Sequence, residues 1–174
     1  IYDGSSTTLL CKEEVLLSEK MIELHPWADM VRLARSGAEA MAVAVRLARA
    51  KTGREIIAIC GYHGWMDWYL SANLTKDSLG NHLLPGLKPL GIPKSLKGSA
   101  VTFKYNDLED LENIINRHGK NLAAICMETM RNVAPQPRFL EEIRNFPTRY
   151  KTKNEMGSTS YFKTHEVEIV ETIE

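Results

Sequence analysis

The sequence carries no net charge, with 22 Lys plus Arg against 22 Asp plus Glu. Proteins that coat nucleic acid or lie on anionic membranes through overall charge carry a basic excess. Neither a nucleic acid nor a membrane is therefore an expected partner, although a local anion site stays open. No apolar run approaches the roughly 20 residues that span a bilayer. The longest, residues 38–50, is broken by Glu39, Arg46 and Arg49. There are three cysteines, Cys11, Cys60 and Cys126, odd in number and scattered. That pattern speaks against a disulfide scaffold and for a reducing cytoplasm. No His or Cys pair has zinc-site spacing, so no metal is expected. The first five residues lack the basic and apolar segments of a secretory signal. There is no initiator Met, and the expectation is a chain that begins inside a larger protein. Also absent are the G-x-G-x-x-G dinucleotide loop and the G-x-x-x-x-G-K-[ST] phosphate loop. The G-x-S-x-G elbow of the serine hydrolases is missing too.

What is present has ordinary globular proportions. The 174 residues are 44% hydrophobic and 25% charged, the size and make-up of one domain. A small polar loop opens the chain. Residues 12–24 space apolar side chains helically between acids, and His25-Pro26 ends that helix. Residues 30–34 form a short apolar run that reads as a strand. After Ser36-Gly37, residues 38–51 are rich in Ala, Leu, Met and Arg, which predicts a helix. Its polar residues form one narrow stripe, so most of its surface is expected to be buried. Thr52-Gly53 stops it. Residues 55–60 predict a buried strand. An aromatic segment follows, then a long surface excursion over residues 78–99. Residues 100–105 predict a strand, and Asn106 or Asp107 caps a helix ending at His118-Gly119. Residues 122–127 predict a second buried strand, and residues 139–145 a last helix.

This alternation of strand and helix implies an α/β layer fold with a mostly parallel sheet. Ligands in such sheets bind at the carboxyl ends of the strands. Three places then share one rim: residues 35–38, 61–67 and 128–132. Ser36, Gly37 and Ala38 open a helix, where free N–H groups and the dipole suit a phosphate. Spacing alone reads Ser36 equally well as a simple N-cap. Tyr62, between Gly61 and Gly64, offers a ring face for stacking, or else packs within an aromatic loop. His63 could serve as acid or base, and Glu128 could orient a bound ring, or be a solvated strand end.

Taken together, MVRLARSGAEAMAVAVRLARAKTGREIIAICGYHGWMDWYLSANL and NLAAICMETMRNVAPQPRFLEEIR resemble the class III aminotransferases. The likeness is to the glutamate-1-semialdehyde 2,1-aminomutase-like branch and spans roughly residues 8–146. It implies the large domain of a fold-type I pyridoxal-phosphate transferase, incomplete here, over residues 1–146. Residues 147–174 are left as a divergent tail. The cofactor implied is pyridoxal 5′-phosphate. By position, Ser36, Gly37 and Ala38 match the phosphate-holding loop and helix start. Tyr62 matches the residue that stacks on the pyridine ring, with His63 beside it. Glu128 matches the glutamate at the end of the core strand, and Asn132 falls in the next turn. Ser5 and Ser6 fall where the substrate mouth begins.

The implied reaction is amino-group transfer through a Schiff base between a small amino donor and a carbonyl acceptor, in a homodimer. The family's lysine and the acid that faces the ring nitrogen find no counterpart. Lys151, Lys153 and Lys163 lack the family's flanking residues. The expectation is therefore little or no transaminase activity from this chain alone. The stretch around YHGW is nearer to sugar-modifying relatives than to the tetrapyrrole-pathway mutase. An aminomutase, or a non-catalytic relative that acts as a binding module, stand as the alternatives.

Overall fold

The computed structural model describes residues 11–26, 28–75, 79, 86–149, 152–153 and 159–160. The expectations for Ser5, Ser6, residues 78 and 80–85 of the 78–99 excursion and most of the tail lie outside these residues.

Helix α1 spans Lys12–Leu24 and buries none of its side chains. Helix α2 spans Gly37–Thr52. Ser36 caps it by accepting a bond from the Glu39 amide, and Gly53 ends it in the left-handed region at φ 66°. The Arg49 side chain then donates to the carbonyls of Glu55 and Ser99 at 2.8 and 3.2 Å. These bonds clamp the C-terminus of α2 to the starting edge of the sheet. Its N-terminus consequently lies toward the opposite rim, where the strands end.

Strand β1, Ile56–Cys60, is central and pairs in parallel with β2, Ala100–Thr102, and with β3, Leu122–Met127. The β1–β3 ladder slips by one residue: Ile56 faces Leu122, but Ile57 faces Ala124. Ala123 is the extra residue of this bulge. Side chains of β1 alternate between two cores. Ile57 and Ile59 pack with Met41 and Val45 of α2 and with Trp68, Tyr69 and Cys126. Ala58 and Cys60 pack with α4 (Leu108–His118) and α5 (Phe139–Arg149) through Leu111, Ile114, Ile115, Phe139 and Ile143. A parallel sheet covered on both faces explains why β1 and β3 read as unbroken apolar runs. A single helical turn, α3, covers Asp67–Leu70. The residue pairs β4 (Thr152–Lys153) and β5 (Thr159–Ser160) form a small antiparallel ladder of their own.

Four expectations change. Residues 30–34 are not a strand: they have no ladder partner, Met30 is 86% exposed and Leu33 is 37% exposed. Apolar composition alone did not supply a neighbour to hydrogen-bond with. Helix α2 buries only the face carrying Ala38, Met41, Ala44, Val45 and Ala48, while Val43 and Leu47 remain exposed. One sheet can cover only one side of a helix. Strand β2 stops at Thr102, because Asp110 Oδ2 takes the Lys104 amide at 2.9 Å and turns the chain toward α4. Helix α5 continues to Arg149, past Pro147. A proline lacks the N–H but has a helical φ, so one bond is lost rather than the whole turn.

Asp107 caps α4, its Oδ1 accepting from the Asp110 amide at 2.9 Å. Asp107→Ala should lower the unfolding free energy by about 1 kcal/mol, read from urea denaturation. No change would mean that α4 starts without this cap.

Candidate functional site

The rim is built from two close approaches that only glycine permits. Gly64 has φ 93° and presses on the start of α2. A Cβ there would overlap the Ala38 side chain and lie 2.9 Å from the Ala38 Cα. Gly61, at φ 99°, meets Glu128 in the same way, its added Cβ lying 2.8 Å from the Glu128 Cδ. The aromatic loop is thus wedged between the head of α2 and the end of β3. The three sequence segments meet as the rim reading requires.

The loop is anchored by its own rings. The Tyr69 hydroxyl donates to the Gly61 carbonyl at 3.0 Å. Tyr69 also lies edge-on to Tyr62, His63 and Trp68, with centroids 5.9, 6.0 and 5.8 Å apart. Burial pushes the Tyr69 phenol up to about 12, with Tyr62 adding to the effect, so it stays a neutral donor. Tyr62 itself is 39% exposed and is the one ring of this group available from outside.

At the helix head, Ser36 and Gly37 are exposed and Ala38 is buried. The Ser36 hydroxyl takes the Glu39 amide at 3.3 Å, and Glu39 Oε2 takes the Arg35 amide at 3.0 Å. No acceptor among the described residues takes the Gly37 or Ala38 amide. These two N–H groups and the positive end of a 16-residue helix lie beside Gly64.

His63 is only 3% exposed, with Nε2 3.1 Å from the Cys60 carbonyl. This contact makes Nε2 the protonated nitrogen, and Nδ1 is buried without a hydrogen-bond partner among the described residues. Burial lowers its pKa, and the Cys60 carbonyl opposes that only in part. His63 therefore sits under the loop as a neutral ring, behind Tyr62 rather than in the open. Glu128 continues β3, its amide bonding the Cys60 carbonyl at 3.1 Å. Its Oε2 pairs with Arg131 Nε at 2.9 Å. Asn132 is exposed and lines a cavity of about 400 Å³ with Tyr105, Asn106, Arg131 and Val133. Among the described residues, no hydrogen bond, ion pair or ring contact joins Asn132 to the other candidates.

Sequence reasoning left two members without a role. Arg131 follows Glu128 by three residues directly after an apolar strand, and that opposite-charge spacing was the available signal. The fit of Gly64 against Ala38 joins positions 26 apart, and no local pattern reports it. Cys60 and Cys126 are buried and unreactive, burial pushing their thiols up to about 11 and about 12. No group of three or more metal-binding side chains forms among the described residues. None of their helices is long and apolar enough to cross a membrane.

The profile of the family Aminotransferase class-III matches residues 4–152. The chain belongs to the class III aminotransferases. Within this class it is 37% identical over 157 residues to a glutamate-1-semialdehyde 2,1-aminomutase of Desulfovibrio desulfuricans. That match covers 87% of this chain and 36% of the relative. It is 39% identical over 144 residues to the enzyme of the same name in Dichelobacter nodosus, covering 79% and 33%. The chain thus spans about a third of the curated relatives it matches. Its fold matches an omega-transaminase from Sphaerobacter thermophilus with TM-score 0.67 at 30% identity, covering 84% of this chain and 35% of the other. A transaminase with pyridoxal phosphate bound matches with TM-score 0.69 at 28% identity and the same coverage. These likenesses make the fold that of the fold-type I pyridoxal-phosphate transferases, as the family resemblance implied. The class III profile runs to residue 152, six residues beyond the end expected for the large-domain part.

Two outcomes follow from this geometry. Gly64→Ala should cost about 1–3 kcal/mol more than Gly98→Ala. Both have positive φ, but only the first meets a backbone atom; equal losses in urea unfolding would mean that the loop yields freely. The second concerns pH. Unfolding restores an ordinary histidine, which takes a proton below about pH 6.5, while folded His63 resists it. The stability contributed by neutral His63 is thus full above that pH and lost as pH falls through the window below it. The urea midpoint of the wild type should drop more steeply between pH 7.5 and 5.5 than that of His63→Phe, and parallel profiles would contradict the assignment.

Proposed function

We propose that this chain is the cofactor-cradling part of a pyridoxal-phosphate-dependent aminotransferase. The observation that carries this reading is the wedge of Gly64 against Ala38, which brings the loop that carries Tyr62 against the head of α2. The amides of Gly37 and Ala38 and the Ser36 hydroxyl would hold the phosphate. Tyr62 would cover one face of the ring, and Glu128 would stand at the ring's edge. His63 would act indirectly, by keeping the loop beneath Tyr62 packed and uncharged. Asn132 would belong to the outer margin of the same rim.

When bound, pyridoxal phosphate supplies an electron-withdrawing ring that stabilises negative charge at the carbon bearing an amine. The residues of this chain bind and orient; none is assigned the family's lysine or the acid facing the ring nitrogen. Turnover is accordingly not expected of this chain alone. In the whole protein the substrates would be a small amino donor and a carbonyl acceptor. The homodimer of the family would use surfaces such as the outward side of α2, where Val43 and Leu47 are exposed. A cytoplasmic location fits the three scattered free cysteines. The names of the curated relatives favour an aminomutase as the second reading.

The test is a titration with pyridoxal phosphate, followed by protein fluorescence. Saturable binding that inorganic phosphate displaces is expected, with Tyr62→Ala about three- to tenfold weaker from the lost ring contact. Coupled assays with amino donors should show no turnover by this chain. Binding indifferent to both phosphate and Tyr62 would overturn the cradle.

A further inference from the structure

Glu128 poses an electrostatic problem. Its side chain is 19% exposed, its carboxylate lies against Gly61, and Tyr62 is the next residue. Oε2 is buried, and no donor among the described residues is aligned on it as a hydrogen bond. A full negative charge there offsets the pull that the positive end of α2 exerts on an anion, and it repels the anion itself. The little-exposed setting, with its lower dielectric, lengthens the reach of that repulsion.

Arg131 answers it. Nε lies 2.9 Å from Oε2, and the arginine side chain is 16% exposed. The guanidinium is braced elsewhere as well. Its central carbon sits 5.9 Å from the centre of the Tyr105 ring. Tyr105 is in turn fixed by its hydroxyl on the Thr129 carbonyl at 3.1 Å and by an edge contact with Phe139 at 5.3 Å. The cation also partly offsets the upward push of burial on the Cys60 thiol. A surface arginine pairing casually would have none of these supports.

The geometry points to Arg131 as a positioning residue that cancels the charge of Glu128 and fixes its carboxylate at the rim. A phosphate ester can then approach the amides of Gly37 and Ala38. The inference rests on the cofactor reading above and adds a residue that acts through Glu128, not on the ligand.

The test is a charge cycle. Pyridoxal phosphate, and separately inorganic phosphate, are titrated into the wild type, Arg131→Met, Arg131→Lys, Glu128→Gln and the double variant Glu128→Gln with Arg131→Met. Arg131→Met should bind both probes about tenfold more weakly, as expected when one member of a little-exposed pair is left uncompensated. Arg131→Lys should recover most of the loss. Added salt should narrow the deficit. The decisive variant is the double one, which should bind within about threefold of Glu128→Gln, because no carboxylate is left for Arg131 to cancel. A double variant about tenfold weaker than Glu128→Gln would make Arg131 merely structural and overturn the inference. So would Arg131→Met binding like the wild type. Failure of the wild type to bind either probe would instead bring down the cofactor reading, and this inference with it.

Discussion

The contact between Gly64 and Ala38 is the constraint on which the rim depends. A helix start and a strand-following loop meet with no side chain between them. Everything polar at the rim inherits its place from that approach. The loop that carries Tyr62 lies against the head of α2 because Gly64 has no side chain to hold it off. The same logic operates one turn earlier in the loop, where Gly61 admits the Glu128 carboxylate. Two glycines three residues apart, both at positive φ, thus join three separate elements into one surface.

That surface is stiff because its supports are buried. Tyr69 bonds the Gly61 carbonyl, and its edge contacts hold His63 and Trp68 beneath the loop. At the far end of α2, Arg49 ties the helix to Glu55 and Ser99. The helix is therefore held at both ends, by side-chain hydrogen bonds to backbone carbonyls at its tail and by close packing at its head. An edge held this way is pre-organised, which would reduce the ordering cost of binding a ligand there.

The sequence was legible where local chemistry decides the outcome. Helix α2 declared itself through Ser36 at its start and Gly53 at its stop. Strands β1 and β3 showed as β-branched apolar runs, and Asp107 announced α4. Residues 30–34 misled because a strand is a property of pairs: their composition suits a ladder, but no second strand lies alongside. The burial of α2 was overestimated for a related reason, since a helix pattern does not reveal how many layers will cover it. In the site, the three rim segments could be found from their residue types and from family resemblance. The pairing of Arg131 with Glu128 and the meeting of Gly64 with Ala38 depend on how the loop and turn fold back, which no short pattern encodes.

The bulge at Ala123 has a further effect on the rim. Strict alternation would send Leu122 and Cys126 to one side of the sheet, yet Leu122 packs with α4 and α5 while Cys126 packs with α2. One surplus residue lets the strand begin in one layer and finish in the other, like a stitch passing through cloth. It also sets the phase of the pleat for everything downstream. The acid that closes the strand faces the glycine of β1's exit because of an irregularity five residues upstream.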